Sequence, residues 1–288
     1  MKTSVSSYSF AYAIRNLGET QLSVMAKAKE YGFDAIEFTD LTPPEGVTQE
    51  DYALQLRAEA DKLGLEISGY SIGADLLVGS NGDLDAEVER VKKQVDVAAL
   101  LKAPVMRHDA ASGKFPEGSN YRGFADTLDR LAEGCRRITE YAATKGVRTA
   151  VENHGYFAQD SDRVERLVLA VGNKNFGLQV DMGNFLCADE NPVLAVSRCA
   201  PYAVNAHAKD FLLKSGQEDQ PEGFFQTRGG NYLRGTVIGH GVVPVKQCVA
   251  ILKRAGYDGY LTLEFEGTER LDFALPAGSR LLRKLCDK

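Results

Sequence analysis

Three acidic side chains and one histidine occupy equivalent places in the sequence, each near the end of a short apolar run. They are Glu152 in "VEN", Asp181 in "VDMGN", His207 in "HAKD" and Glu264 in "LTLEFEG". Each follows an apolar or small residue whose side chain must face the other way in a strand, so all four can point to one side. A buried charge is costly unless it is paired or bound to a metal ion.

Together these side chains offer three carboxylates and one imidazole. That ligand set suits a borderline-to-hard divalent ion, of which Mn²⁺ is favoured and Mg²⁺, Co²⁺ and Zn²⁺ are alternatives. Without a cation, carboxylates this close together would repel one another and their pKa values would rise. The pattern therefore predicts a site for one divalent metal ion.

Other polar residues near the ends of the apolar runs, or in the turns beyond them, are candidates for contacts with a substrate. They are Glu37, Arg107, His108, His154, Asn184, Lys209 and Glu266, with His240 in the glycine-flanked turn "IGHG" as a further acid–base candidate. Glu266 lies about 7 Å beyond Glu264 if the strand stays extended, which places it at the rim of a site. Structural ion pairs are the alternative interpretation, for example Arg107 with Asp109 or Lys209 with Glu37.

Repeated βα units would position these residues, because short runs rich in β-branched and aromatic residues alternate with longer amphipathic stretches. Several of the amphipathic stretches end in a glycine shortly before the next run, namely Gly32, Gly64, Gly146 and Gly256, as helices often do. Eight strands are predicted at 4–10, 34–38, 65–72, 103–108, 147–153, 176–182, 202–208 and 260–265.

Eight such units predict a (β/α)₈ barrel, an α/β fold whose active site lies at the carboxyl ends of the strands. The alternative, a doubly wound open sheet, usually carries a glycine-rich phosphate loop after its first strand, and none follows "SVSSYSF". We expect a single domain over residues 1–288. One long polar, glycine-rich connection, 211–242, is expected to be a lid or binding loop.

The bulk composition fits an ordinary soluble protein, with 44% hydrophobic and 26% charged residues. The net charge of −6 argues against a nucleic-acid or membrane-surface partner. The first ten residues lack the apolar core of a signal peptide, and the five cysteines show no CxxC pair. These features predict a cytoplasmic location.

The segments "VEN", "VDMGN", "HAKD" and "GYDGYLTLEFEG", in this order, resemble the sugar phosphate isomerase/epimerase superfamily of xylose-isomerase-like barrels. The resemblance covers nearly the whole chain and implies that Glu152, Asp181, His207 and Glu264 are the metal ligands. It also implies a sugar or keto-sugar substrate, and an isomerase or epimerase that abstracts a proton next to a carbonyl through a metal-stabilised enediolate. Glu152 and Glu264 would then be the acid–base pair.

The alternative within this resemblance is a dehydratase or lyase, in which a β-hydroxyl of a keto-inositol or keto-sugar leaves after proton removal. Three positions depart from the epimerase pattern. Asn184 stands where those epimerases carry a substrate-binding histidine. The lysine at position 209 resembles the hydroxypyruvate isomerase and inosose dehydratase branches more than the epimerases. His240 stands where many relatives carry a glutamate. These departures put the substrate and the reaction type in question.

The sequence argues against one further function and leaves a second one open. A DNA-repair nuclease similar to endonuclease IV needs a histidine-rich three-zinc cluster and a basic surface, whereas this chain has four histidines and is acidic. A non-catalytic sugar-binding barrel, or a subunit that needs a partner chain, stays open. The sequence also leaves a homo-oligomer open.

Overall fold

A computed structural model describes residues 1–287, and eight of the strands in this range close into a parallel barrel. In chain order the strands are β1 (Lys2–Ser6), β2 (Ala35–Thr39), β3 (Glu66–Ile72), β4 (Val105–His108), β5 (Arg148–Glu152), β6 (Phe176–Asp181), β7 (Ala203–Ala208), β8 (Asp210–Lys214), β9 (Phe225–Gln226), β10 (Tyr232–Thr236) and β11 (Tyr260–Leu263). Strands β1 to β7 are adjacent in sequence order, and β11 closes the barrel between β7 and β1. The predicted (β/α)₈ TIM barrel is confirmed.

Helices surround the barrel and return the chain from each strand to the next. They are α1 (Ala11–Asn16), α2 (Val24–Glu30), α3 (Gln49–Leu63), α4 (Leu84–Leu101), α5 (Phe124–Thr144), α6 (Ser161–Val171), α7 (Pro192–Cys199), α8 (Val245–Arg254) and α9 (Leu271–Cys286). The Thr48 side chain caps the first turn of α3, and Gly64 ends that helix in the left-handed conformation with φ 59°. None of the helices in residues 1–287 is long and apolar enough to cross a membrane.

Strand alternation separates the barrel interior from the layer under the helices. Leu261 and Leu263 are buried, and Leu263 packs so closely against α9 that a Cβ on Gly278 would clash with it. Glu264 follows with the opposite parity, and its backbone N–H still donates to the Ala208 carbonyl of β7. The end of β11 therefore turns Glu264 into the barrel mouth while the leucines hold the strand against the helices.

The first strand is shorter than the sequence pattern predicts. It ends at Ser6, and a 3₁₀ helix over Ser7–Phe10 follows instead of four more extended residues. The Ser6 side chain accepts a hydrogen bond from the backbone N–H of Tyr8, which begins the turn. As a result, Tyr8 lies over the carboxyl end of the barrel and not within a strand.

The long connection 211–242 contains three short strands. Strands β8, β10 and β9 form an antiparallel sheet in that order, with Phe211 and Leu233 packed against Cys187. The sheet is attached to the loop after β5, where the Tyr156 hydroxyl donates to the Gln226 carbonyl over 2.7 Å. The segment therefore contains a small sheet joined by turns, which sequence polarity alone does not distinguish from a loop.

Candidate metal centre

Four side chains from β5, β6, β7 and the end of β11 meet at the carboxyl end of the barrel. Glu152, Asp181, His207 and Glu264, called the four-residue cluster below, each bring one ligand atom to within 4.8 Å of the other three. Nδ1 of His207 lies 3.7 Å from Glu152 Oε1, 3.8 Å from Asp181 Oδ2 and 3.6 Å from Glu264 Oε1. One atom of each side chain therefore faces a common space.

Two atoms of the cluster are buried without a hydrogen-bond partner in residues 1–287, namely Asp181 Oδ2 and His207 Nδ1. Unsatisfied buried polar atoms are rare and usually indicate a missing ion or water. The opposite oxygens of the carboxylates are held by the protein: Asp181 Oδ1 accepts from the N–H of Gly183 and Asn184. This arrangement fits a metal ion that takes one oxygen from each carboxylate and one nitrogen from His207.

The charges around the cluster also fit a divalent ion. Burial raises the pKa of Asp181 from 3.8 to about 6, with Lys209 opposing that shift and Glu152 adding to it. Burial would also raise the pKa of Glu264, but Lys209 and His207 lower it well below its ordinary value. The donor set of carboxylates and one imidazole matches Mn²⁺, Mg²⁺, Co²⁺ or Zn²⁺, whereas Ca²⁺ prefers oxygen ligands alone.

Lys209 is buried beside the cluster and bridges its residues to the rim. Its Nζ lies 2.7 Å from Glu264 Oε2 and 3.6 Å from Glu266 Oε2, and it donates to Asn184 Oδ1 over 3.1 Å. The Asn184 amide in turn donates to Glu152 Oε1 over 3.1 Å. The structure thus brings the predicted substrate-contact residues Asn184, Lys209 and Glu266 together at one side of the cluster.

Arg107 and His154 lie on the opposite side and share the carboxylate of Asp109. Arg107 Nη2 is 2.6 Å from Glu152 Oε2 and 2.8 Å from Asp109 Oδ1, while His154 Nδ1 is 2.9 Å from the same Asp109 oxygen. Burial opposes protonation of His154, but the hydrogen bond to Asp109 raises its pKa. His154 remains half-exposed at the mouth, so a substrate above Glu152 would meet it.

Two predicted site residues lie elsewhere. Glu37, expected to contact substrate, is fully buried below the cluster, where both carboxylate oxygens lie 3.0 Å from His207 Nε2. His240, expected to be an acid–base group, is exposed with its ring 6.3 Å from that of Phe273 on α9. Asp210 holds the turn there, because its carboxylate accepts the N–H groups of Gly239, Gly241 and Val243. These placements do not support a substrate contact by Glu37 or an acid–base role for His240.

His108 also lies outside the site. It is next to Arg107 on β4, so its side chain points to the opposite side of the strand, toward the helices. Its Nδ1 lies 2.9 Å from the Asp109 carbonyl, and its Nε2 is buried with no partner in the described chain. Burial lowers its pKa below the ordinary 6.5. The folded protein therefore keeps His108 neutral while the unfolded chain takes up a proton, and stability is lost as pH falls below the unfolded value.

We therefore expect a His108→Phe variant to lose less stability than the parent between about pH 7.5 and about pH 5.5. Its affinity for Mn²⁺ should stay within about twofold of the parent, because the ring lies outside the site. Urea denaturation at the two pH values and calorimetric Mn²⁺ titration measure both quantities. A large drop in metal affinity would contradict the placement of His108.

Sequence reasoning missed three residues of the site. Gln179 and Asn205 are buried in the barrel interior and hydrogen-bond to each other, with Asn205 Nδ2 2.8 Å from Gln179 Oε1. Each stands two positions before a cluster residue, so strand parity alone could have found them. Tyr8 is the third: burial and then Glu266 raise the pKa of its hydroxyl, which places it near the rim. No periodic signal indicated Tyr8, because it follows the break in β1.

The fold is a closed parallel barrel, and it carries an acidic, histidine-containing candidate metal site at its carboxyl end. The family model described as xylose isomerase-like TIM barrel matches residues 25–285, and the chain belongs to that family. The superfamily resemblance inferred from the sequence motifs is thereby confirmed.

Individual relatives include both dehydratases and epimerases. The chain is 25% identical over 142 residues to an inosose dehydratase of Lacticaseibacillus casei, an alignment that covers 49% of this chain and 48% of that protein. The chain thus spans about half the length of the curated relative. The probable 3-DHS dehydratase AsbF of Bacillus anthracis shares the fold with a TM-score of 0.73 at 21% identity, covering 98% and 99% of the chains. A D-allulose 3-epimerase of Methylomonas sp. also shares the fold, with a TM-score of 0.69 at 17% identity. That alignment covers 99% of this chain and 98% of the epimerase chain.

Proposed function

We propose that this protein is a divalent-metal-dependent enzyme that removes a proton next to the carbonyl of a keto-sugar or keto-inositol, and that a β-hydroxyl then leaves as water. The observation that carries the proposal is the buried pair of Glu264 Oε2 and Lys209 Nζ, 2.7 Å apart at the edge of the four-residue cluster. A carboxylate and an ammonium side by side provide a base and an acid on the same face of a substrate.

The cluster would hold the ion, which when bound would act as a Lewis acid on the substrate's oxygens. Lys209 lowers the pKa of Glu264, so this carboxylate stays ionised and can accept a proton from carbon. The carboxylates around Lys209 raise its pKa against the effect of burial, so Lys209 is an ammonium when the substrate arrives. We assign to this ammonium the proton that the departing hydroxyl takes up. Transfer of the proton from Glu264 Oε2 to Lys209 Nζ across their hydrogen bond then restores both groups.

Glu152 is less free than Glu264 to act as a base. Its Oε2 accepts from Arg107 and from Gln179, and its Oε1 accepts from Asn184. Its side chain is 4% exposed, against 11% for Glu264. A second base on the opposite face of the substrate is needed to invert a stereocentre, so these contacts favour elimination, as does the similarity to inosose dehydratases.

The second candidate is a sugar isomerase or epimerase with the same first step. It is supported by the placement of Glu152 and Glu264, whose oxygens lie at nearly equal distances from His207 Nδ1. In that case the two glutamates form the acid–base pair, and His154, Arg107 and Glu266 contact the sugar. Mn²⁺ is the first ion to test for either reaction.

Incubation of Mn²⁺-loaded protein in D₂O with a keto-inositol and with a panel of ketohexoses separates the two reactions. Elimination predicts a product that has lost one water, whereas isomerisation or epimerisation predicts deuterium at carbon in a product with all its oxygens. Chelated protein and a Glu264→Gln variant serve as controls, and both should be inactive. Metal-loaded protein that neither exchanges nor dehydrates any of these substrates would contradict the proposal.

A further inference from the structure

A second layer of polar side chains lies inside the barrel directly below the four-residue cluster. It consists of Glu37 on β2, Ser71 on β3, Gln179 on β6 and Asn205 on β7, all of them buried. Barrel interiors are normally filled with bulky branched apolar side chains, so a polar layer at this depth needs a reason. Its hydrogen bonds run upward to the residues of the cluster.

Glu37 contacts the imidazole of His207 on the side away from the cluster. Both of its oxygens lie 3.0 Å from His207 Nε2. An ionised carboxylate can only accept hydrogen bonds, so Nε2 carries the proton and donates it. The Nδ1 atom, which faces the three carboxylates of the cluster, is then left as the lone-pair nitrogen that a metal requires.

Glu37 is itself held in place by two donors. Ser71 Oγ donates to its Oε1 over 2.9 Å, and Asn205 Nδ2 donates to its Oε2 over 2.7 Å. The backbone also approaches closely, since a Cβ on Gly69 would lie 3.3 Å from Glu37 Oε2. The carboxylate therefore has little freedom to turn away from His207.

The same layer reaches a second cluster residue. Asn205 donates to Gln179 Oε1 over 2.8 Å, and Gln179 Nε2 donates to Glu152 Oε2 over 3.2 Å. A continuous path of hydrogen bonds thus joins the imidazole of His207 to the carboxylate of Glu152 without passing through solvent. The orientation of the two side chains is set by one shared network.

We infer that Glu37 is a positioning residue for the metal site. It fixes His207 as the Nε2–H tautomer and, through Asn205 and Gln179, holds Glu152 with Oε1 toward the cluster. Carboxylates that accept from a metal-bound histidine orient the ring and make it a better ligand, and their loss typically weakens metal binding by about 10- to 100-fold. This inference rests on the proposed metal site and assigns a role to Glu37 that involves no substrate contact.

A Glu37→Gln variant tests the inference by isothermal titration of the metal-free protein with Mn²⁺. Glutamine keeps the size of the side chain but removes the charge, so we expect the Kd for Mn²⁺ to rise by about 10- to 100-fold. The matched control is Glu87→Gln. Glu87 is also buried, with Arg90 at 2.8 Å and Ser80 at 2.8 Å, but it serves the loop after β3. This control should keep the parental Kd within about twofold.

The possible results separate the inference from the proposed function. Parent protein that binds no Mn²⁺ overturns the metal site and the inference together. Parent protein that binds Mn²⁺ while Glu37→Gln binds equally well, or while Glu87→Gln is weakened as much, overturns the inference alone. If Glu37→Gln does not fold, histidine-selective ¹⁵N NMR of the Mg²⁺-loaded parent decides: a His207 Nε2–H tautomer supports the inference and an Nδ1–H tautomer overturns it.

Discussion

An Asp181→Asn variant should bind Mn²⁺ at least about 100-fold more weakly than the parent, a larger loss than supporting residues outside the ligand set produce. Asparagine can still accept the N–H groups of Gly183 and Asn184 through its Oδ1, so the turn after β6 is preserved. The change falls on the second atom, which becomes an amide nitrogen and has no lone pair for a cation. Isothermal titration with Mn²⁺ measures the loss.

The same variant should be more stable than the parent when both are metal-free. Burial raises the pKa of Asp181 from 3.8 to about 6, so the ionised carboxylate destabilises the folded state at neutral pH. The folded protein takes up a proton at Asp181 at a higher pH than the unfolded chain does. The destabilisation is therefore complete above about pH 6 and disappears as pH falls below the unfolded pKa of about 4. Urea denaturation in a chelator should therefore show a gain for Asp181→Asn at about pH 7.5 that shrinks at about pH 4.5.

A variant that keeps Mn²⁺ affinity within about tenfold of the parent would show that Asp181 is not a ligand. A metal-free variant that is less stable than the parent at neutral pH would show that its carboxylate is already compensated within the protein. Either result would remove the main physical reason for a cation at this position, the unpartnered Oδ2.

Strand parity accounts for most of what the sequence predicted correctly. Glu152, Asp181, His207 and Glu264 could be placed on one side because alternation along a strand is a local property. The same rule separates Arg107 from His108, since neighbours on β4 cannot both face the barrel interior, and applying it would have excluded His108 from the site. The predicted glycines also agree with the structure: Gly32, Gly64, Gly146 and Gly256 all have positive φ.

The depth of a side chain along the barrel axis could not be predicted from the sequence, because it depends on the stagger between neighbouring strands. Glu37 ends β2 in the sequence pattern, yet a register shift between Ile36 and Glu37 against β3 places its carboxylate under His207. The position of His240 depends on Asp210, whose carboxylate binds backbone groups of the turn 29 to 33 residues away. Contacts of this kind leave no periodic trace in a single sequence.

A Lys209→Gln variant should separate the two chemical steps of the proposed dehydration. Glutamine can hydrogen-bond to Glu264 Oε2 but supplies no acidic proton, so loss of water should fall by about 10²- to 10⁴-fold at saturating Mn²⁺. Proton removal from carbon belongs to Glu264, whose pKa His207 still lowers when Lys209 is absent. Exchange of the substrate's carbon-bound hydrogen with D₂O should therefore fall by no more than about tenfold. Mass spectrometry of one reaction mixture measures both rates.

The control for Lys209→Gln is the Glu264→Gln variant, which should lose exchange and water loss together because it lacks the base. Lys209 contacts Asp181 and Glu266 as well as Glu264, so its removal also changes the charge around the cluster. Titration to saturation with Mn²⁺ removes that effect from the comparison of rates. If the rates of hydrogen exchange and of dehydration fell equally in Lys209→Gln, the ammonium would serve only to keep Glu264 ionised. Another group would then have to protonate the leaving hydroxyl. His154, held by Asp109 across the cluster, is the residue at the mouth that could then take that role.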